Sequence, residues 1–216
     1  MPKLILVTVG TSALGKLDEQ EQKNLPKPFP KKGEKAYNEL KSKLLDVLMI
    51  NIERYFAGEE TKKLSAEISS LLVMSKTERI GKIDSKDKIV LFASDTDDGI
   101  LCAEANIEVI KSYIAPNIEI KKIEGLQVND PDRFVKSGLV NLQRAINRYS
   151  HSPMDVYLNV TGGFKGVLPY VAPLAWENRM TIVYLFELSK DIIIIPPPSE
   201  HSFSGMQKET ILGSIE

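Results

Sequence analysis

The chain has 216 residues, 43% of them hydrophobic, and its 28 Lys and Arg against 29 Asp and Glu give a formal net charge of −1. This composition predicts a globular protein with one sizeable core, and the near-neutral charge argues against binding to long nucleic acid, which usually requires a basic face. The single cysteine, Cys102, excludes an internal disulfide and a zinc cluster, and no apolar run reaches the roughly 20 residues that span a bilayer. We therefore expect a cytoplasmic protein without a metal, a cofactor or a membrane contact.

Apolar runs of strand length alternate with segments of helical period, a pattern typical of an α/β protein with a mainly parallel sheet. The runs are continuously apolar, as expected for strands buried on both faces. A further run, Asp191–Ile195, follows a turn-like segment and ends at three prolines, which predicts an antiparallel hairpin partner at a sheet edge. The five main strands are predicted at Lys3–Val9, Lys88–Ser94, Ile118–Ile123, Asp155–Val160 and Met180–Phe186.

Apolar residues at spacings of three and four predict a helix between each pair of strands and a second one before strand two. Asp130 as N-cap and Pro131 at the first helical position mark the start of one of them. The proline-rich segment Lys16–Lys32 lacks any period and is predicted to be a long loop. The helices are predicted at about Glu34–Phe56, Lys62–Met74, Ile100–Ile114, Pro131–Tyr149 and from Gly163 to Asn178, the last interrupted by Pro169 and Pro173.

These elements predict a Rossmann-like, doubly wound, mainly parallel sheet with a C-terminal antiparallel edge hairpin over residues 1–198. The polar tail at 199–216 is expected to be a frayed end or the start of an output domain absent from this chain. If the main strands follow the common order 3-2-1-4-5, the order reverses between strands one and four. Open α/β sheets bind ligands at such a point, outside the carboxyl ends of the strands.

Both strands at this predicted switch point are followed by unusual loops. Strand one ends in Val9-Gly10-Thr11-Ser12, and strand four ends in Asn159-Val160-Thr161-Gly162-Gly163-Phe164-Lys165. Glycines at a helix start let the backbone approach an anion closely, and Lys165 adds a full positive charge. The hydroxyls of Thr11 and Ser12 are suited to a phosphate, a ribose hydroxyl or a ring nitrogen. The alternatives are a tight turn with a solvated Lys165, and hydroxyls that only cap the loop backbone.

Two other patterns are weaker. The run from Gly10 to Lys16 fits the G-x-x-x-x-G-K core of a phosphate-binding Walker loop, but Leu17 stands where a Ser or Thr should hold magnesium, and no helical pattern follows directly. Asp95, Asp97 and Asp98 after strand two suggest a metal site, yet acidic residues are also favoured at a helix start, and that interpretation is the better one.

The two loop motifs also resemble the signature motifs of CRISPR-associated Rossmann-fold (CARF) domains. Further segments resemble the branch of that family found in type III CRISPR effectors and ring nucleases, and the resemblance extends over about Lys3–Pro198. These segments are Phe92-Ala93-Ser94-Asp95-Thr96, Leu101-Cys102-Ala103-Glu104, Glu124-Gly125-Leu126-Gln127-Val128 and Gly138-Leu139-Val140-Asn141-Leu142.

The resemblance implies a two-fold homodimer that binds a cyclic oligoadenylate, often cyclic tetra-adenylate, in one cleft across the dimer axis. It implies either a ring nuclease that cleaves this messenger without a metal and switches off type III antiviral signalling, or a non-cleaving sensor that controls an output domain or partner. As catalytic residues it favours Ser12 and Lys165. The expected ligand-binding residues are Gly10, Thr11, Ser12, Ser94, Asp95, Thr96, Asn159, Thr161, Gly162, Gly163, Phe164 and Lys165.

Overall fold

A computed structural model describes residues 1–59, 63–163, 165–186 and 191–198. Its described strands form one sheet in the order β3-β2-β1-β4-β5-β6, parallel throughout except for the antiparallel pair β5 and β6. The predicted fold, the order 3-2-1-4-5 and the edge hairpin are therefore confirmed. The strands are β1 (Lys3–Thr8), β2 (Lys88–Ser94), β3 (Ile118–Ile123), β4 (Asp155–Asn159), β5 (Thr181–Leu185) and β6 (Ile192–Ile195).

Helices cover both faces of this sheet. Successive residues of each central strand point to opposite faces, so each strand contributes side chains to two separate cores. The helices are α1 (Glu19–Lys23), α2 (Lys35–Phe56), α3 (Ala66–Lys76), α4 (Asp97–Tyr113), α5 (Pro131–Arg133), α6 (Leu139–Asn147) and α7 (Leu168–Glu177). In β1, Ile5 and Val7 face the core under α2, α3 and α4, whereas Leu4 and Leu6 face the core under α6 and α7. Within the described ranges, none of the helices combines the length and apolarity that a bilayer crossing requires.

The predicted long loop Lys16–Lys32 contains a helix, which corrects the sequence analysis. Asp18 and Glu21 form a capping box at the start of α1: the Glu21 N–H donates to the Asp18 side chain at 2.7 Å, and the Asp18 N–H donates back to Glu21 at 3.4 Å. A 3-10 turn at Leu14–Lys16 precedes it. The remainder of the segment, 24–33, is irregular as predicted.

Three other helix starts depend on their caps. Ser65 caps α3, so this helix begins at Ala66 and not at the predicted Lys62, which lies outside the described residues. Thr96 caps α4, which begins three residues earlier than predicted. The predicted Asp130 cap is confirmed, and a π-helical segment at Phe134–Gly138 joins α5 to α6. The polar tail at 199–216 lies outside the described residues.

Candidate functional site

A cleft of about 460 Å³ opens at the carboxyl edge of the sheet, where the strand order reverses between β1 and β4. Loops after β1, β2, β3 and β4 contribute to its walls, which is the location expected for a ligand site in an open α/β sheet. The lining residues are Thr8, Val9, Gly10, Thr11, Phe92, Ser94, Thr96, Asp98, Leu126, Gln127, Val128, Asn129, Gly163, Lys165 and Val167.

The two motif loops touch each other at the floor of the cleft. A Cβ on Gly10 would lie 2.8 Å from the Gly163 nitrogen, and Gly163 has φ = +89°, so both positions require glycine. The Thr8 hydroxyl donates to the Gly162 carbonyl oxygen at 2.5 Å. The loops that the sequence analysis selected separately thus form one continuous backbone surface.

Asn159 and Thr161 are buried and shape the second loop from behind. The Thr161 N–H donates to Asn159 Oδ1 at 3.1 Å, and the Asn159 amide donates to the Ser70 hydroxyl at 2.7 Å. The Leu185 N–H donates to Thr161 Oγ1 at 2.9 Å. Both side chains therefore form hydrogen bonds within the fold, and neither lines the cleft.

Ser12 is turned towards α3. Its hydroxyl donates to Glu67 Oε2 at 2.9 Å and accepts from the Ala66 N–H at 3.1 Å. Among the cleft-lining residues of the first loop, Thr11 supplies the exposed hydroxyl and Ser12 is not included. The predicted role of Ser12 as a catalytic and binding residue remains a prediction.

Glu67 is the residue of this region that the sequence analysis missed. It is fully buried at the start of α3, and burial raises the pKa of its carboxyl even though the Gly10 N–H and the Ser12 hydroxyl oppose the shift. A signal was available: Glu67, Leu71 and Met74 recur at spacings of four and three along α3, and all three are buried. An acidic residue in a first helical turn is nevertheless usually explained by the helix dipole alone.

The loop after β2 provides hydroxyls on the opposite wall. Ser94 Oγ and Thr96 Oγ1 lie 2.7 Å apart and both line the cleft, while Thr96 also caps α4. Asp95 faces away from the cleft, accepting from the Gly125 N–H at 3.0 Å and from Arg133 at 2.8 Å. Across the described residues, no group of three or more His, Cys, Asp or Glu side chains could hold a metal ion.

Lys165 is exposed and lines the cleft at the end of the second loop, where the sequence analysis expected a cation. Phe164 lies outside the described residues. The loop after β3 adds Gln127, Val128 and Asn129. Gln127 and Val128 belong to one of the segments that resemble CARF proteins, but none of the three was expected to bind a ligand. They reach the site because β3 and β2 end side by side in the sheet.

A second cleft of about 600 Å³ shares Thr11, Asp98 and Asn129 with the first. Its other wall is the segment after α1, which includes Leu25 and Phe29. The proline-rich loop therefore borders the candidate site and extends the surface available to a ligand.

The Walker-loop alternative has little support in this geometry. Leu17, at the position of the magnesium-binding hydroxyl, is buried in the core at 3% exposure. A 3-10 turn occupies Leu14–Lys16, and the next helix has only five residues.

A family model described as CRISPR-associated protein (Cas_APE2256) matches residues 62–198, which include most of the sheet and the loops after β2, β3 and β4. The chain belongs to this family of CRISPR-associated proteins. Membership confirms the predicted association with CRISPR systems, and the Cas_APE2256 match is independent of the first motif loop, which lies before residue 62.

A curated protein whose name does not refer to CRISPR systems also matches part of this chain. The 1-deoxy-D-xylulose 5-phosphate reductoisomerase of Sulfurihydrogenibium sp. (strain YO3AOP1) is 32% identical over 108 residues, covering 46% of this chain and 27% of the relative. The chain thus spans little more than a quarter of that relative's length, and the match carries no argument about activity here.

Proposed function

We propose that this Cas_APE2256-family protein binds a cyclic oligoadenylate, cyclic tetra-adenylate first of all, and cleaves it as a metal-independent ring nuclease. The observation that carries the proposal is the cleft between β1 and β4, which brings the Gly10 loop, the Gly163 loop and Lys165 together in a CRISPR-associated protein. Cleavage would switch off antiviral signalling that the messenger sustains.

The chemistry of the walls supports a ligand with phosphates and ribose hydroxyls. Lys165 offers a full positive charge, and Thr11, Ser94 and Thr96 offer hydroxyls. The amide side chains of Gln127 and Asn129 can both donate and accept, as recognition of a nucleobase edge requires. A small anion needs only such a local arrangement, so the net charge of −1 is no obstacle.

A homodimer is part of the proposal. The first cleft is only about 460 Å³, small for a ring of four nucleotides, but the second cleft continues it along the 24–33 loop. Two such surfaces facing each other across a two-fold axis would match a ligand that has rotational symmetry of its own.

Cleavage requires positioning and charge stabilisation more than a metal. The ribose 2′-oxygen attacks the adjacent phosphorus, the bond from phosphorus to the 5′-oxygen breaks, and a 2′,3′-cyclic phosphate remains. The 2′-hydroxyl loses its proton and the departing 5′-oxygen gains one, so the reaction needs no added water. Lys165 would stabilise the charge that develops on the phosphoryl oxygens, and the site would hold the 2′-oxygen in line with the leaving group.

The test is incubation of the protein with labelled cyclic tetra-adenylate in EDTA, followed by chromatography. We expect linear di-adenylate ending in a 2′,3′-cyclic phosphate. Failure to bind the ligand at all would overturn the proposal, and cleavage only after addition of a divalent metal would overturn its mechanism.

A non-cleaving sensor is the second candidate, and a specific observation favours it. Ser12, one of the two residues expected to be catalytic, is not among the residues that line the cleft, and its hydroxyl is bound to Glu67 and Ala66. Retention of intact cyclic tetra-adenylate at one ring per two chains, with no product over many hours, would support the sensor.

A further inference from the structure

A buried polar network lies directly behind the loop after β1. Both oxygens of the Glu67 carboxyl accept hydrogen bonds from this loop: Oε1 from the Gly10 N–H at 2.9 Å, and Oε2 from the Ser12 hydroxyl at 2.9 Å. Asn106 of α4 donates to the same Oε2 at 3.4 Å, and its own carbonyl oxygen accepts from Ser65 at 2.7 Å. Three donors thus converge on the two oxygens of one buried carboxyl group.

Glu67 also touches the second motif loop. A Cβ on Gly162 would collide with Glu67 Oε1, so glycine at this position leaves the space that the carboxylate occupies. One side chain of α3 is therefore packed between the loops that form the floor of the cleft, and the loop after β1 cannot move without disturbing its hydrogen bonds.

This contact fixes what Ser12 can offer to a ligand. A hydroxyl has one hydrogen and two lone pairs. The hydrogen goes to Glu67, and one lone pair receives the Ala66 N–H, which leaves one lone pair. Ser12 is half-buried beside Thr11, which lines the cleft, so a ligand that reaches it can use this lone pair for a ribose 2′-hydroxyl but finds no hydrogen for a phosphate.

We propose that Glu67 is a positioning residue of the site, which orients the loop after β1 and makes Ser12 an acceptor for the 2′-hydroxyl of the ligand. This inference rests on the proposed function for its catalytic part. Its structural part, the orientation of the loop, concerns the ligand-free protein and is independent of what the ligand is.

The surroundings of Glu67 suit this role. It lies against Asn106 of α4, Ser65 at the start of α3, and the two motif loops. Burial raises the pKa of Glu67. Burial is also the main reason why the pKa of the Cys102 thiol is raised, and the electrostatic effect of Glu67 adds to that shift.

The decisive variant is Glu67→Gln, which has nearly the same shape. Its amide oxygen can still accept from Gly10, but its NH₂ group now donates towards Ser12. The Ser12 hydroxyl must then turn its hydrogen away from residue 67, so that it offers a donor to the ligand where it offered an acceptor before. The fold itself should stay intact. In single-turnover cleavage of cyclic tetra-adenylate we expect a loss of roughly 10- to 100-fold in rate, with a change in Kd below about threefold.

Ser12→Ala and the double variant complete the cycle. If Glu67 acts through Ser12, the double variant is no slower than the slower single variant. Glu108→Gln, a change of the same type at an exposed position of α4, is the matched control and should behave like wild type. A Glu67→Gln protein that cleaves at the wild-type rate, or whose loss multiplies with that of Ser12→Ala, would overturn the catalytic part.

Hydrogen exchange without ligand tests the structural part. Glu67→Ala should accelerate amide exchange in residues 10–14 by at least about tenfold, because the acceptor of the Gly10 N–H is lost. Unchanged exchange there, with Glu108→Ala as reference, would overturn the positioning role. If wild type neither binds nor cleaves the ring but exchange responds as expected, the proposed function fails while the orientation of the loop by Glu67 stands.

Discussion

At the scale of single residues, Lys165 is an exposed cation that lines the cleft, and we expect its ammonium to reach a phosphate held by the Gly163 loop. Removing one charge-assisted contact costs about 1.5–3 kcal/mol, or roughly 10- to 150-fold in affinity. We expect Lys165→Ala to weaken cyclic tetra-adenylate binding by that factor and to slow cleavage further, because charge grows on the phosphoryl oxygens in the transition state. Calorimetry and single-turnover kinetics measure the two effects.

Lys16→Ala is the control for this prediction, since Lys16 lines neither cleft. It should bind and cleave like wild type. The opposite result, a silent Lys165→Ala and an impaired Lys16→Ala, would show that the ligand site has been assigned to the wrong lysine.

The raised pKa of Glu67 predicts that the free energy of unfolding depends on pH. Because burial raises its pKa in the folded state, the contribution of the carboxyl is fully present below the pKa of an unfolded Glu, about 4.3, and is lost as the pH rises through the folded value. Gln does not titrate. The free energy of unfolding of Glu67→Gln, relative to wild type, should therefore increase with pH over this window and then level off. Urea unfolding at a series of pH values would measure it, and a constant difference would contradict it.

At the scale of elements, ion pairs of Glu104 in α4 connect the proline-rich loop beside the second cleft to α4. Glu104 pairs with Lys32 at the end of that loop and with Lys41 of α2 at 3.1 Å. Burial by itself would raise the pKa of Glu104, but hydrogen bonds from Lys32 and Lys41 hold it below the usual value. The stabilisation is thus present at neutral pH and is lost as the pH falls through the folded pKa.

We expect Glu104→Gln to lower the free energy of unfolding by about 1–2 kcal/mol at neutral pH, allowing for partial screening by solvent. Amide exchange in residues 24–33 should also increase. Glu39→Gln is the matched control, because its ion pair with Lys35 is exposed and contributes little. Equal effects of the two substitutions would mean that Glu104 does not hold the loop.

The π-helical segment depends on a close contact with the turn after β3. A Cβ on Gly138 would collide with the carbonyl oxygen of Gly125, and Gly125 itself has φ = +79°. Gly138→Ala should therefore lower the free energy of unfolding by about 1–3 kcal/mol through overpacking. Gly15→Ala, with nothing near the added methyl group, should change it little. Urea denaturation compares the two, and similar midpoints would contradict the close contact.

At the scale of the whole molecule, the proposed symmetric ligand predicts a two-fold dimer. Light scattering should give twice the mass of 24.1 kDa, and calorimetry should give one cyclic tetra-adenylate per two chains. A monomer in the presence of ligand, or one ring per chain, would contradict the dimer without affecting the assignment to the CRISPR-associated family.

Much of this fold and the position of the site could be predicted from local sequence patterns. The buried strands β1, β2 and β5 have long apolar runs, and shorter apolar patterns marked the other strands and the hairpin. Two unusual loops marked the reversal of strand order. The helix α1 was missed although its capping box, Asp18 and Glu21, is local. The proline-rich composition that follows it obscured the signal.

The sequence by itself thus determined the sheet, the edge at which a ligand would bind and the charge of Lys165, because each depends on residues close together in the chain. Only the tertiary structure decided which polar groups face that edge. Ser12 and Glu67 are 55 residues apart, and Glu67 meets the loop after β1 because α3 packs beneath that loop. Asn129 likewise joins the cleft because β3 ends beside β2. The direction of a hydroxyl depends on the partner that the fold brings to it, and no local pattern specifies that partner.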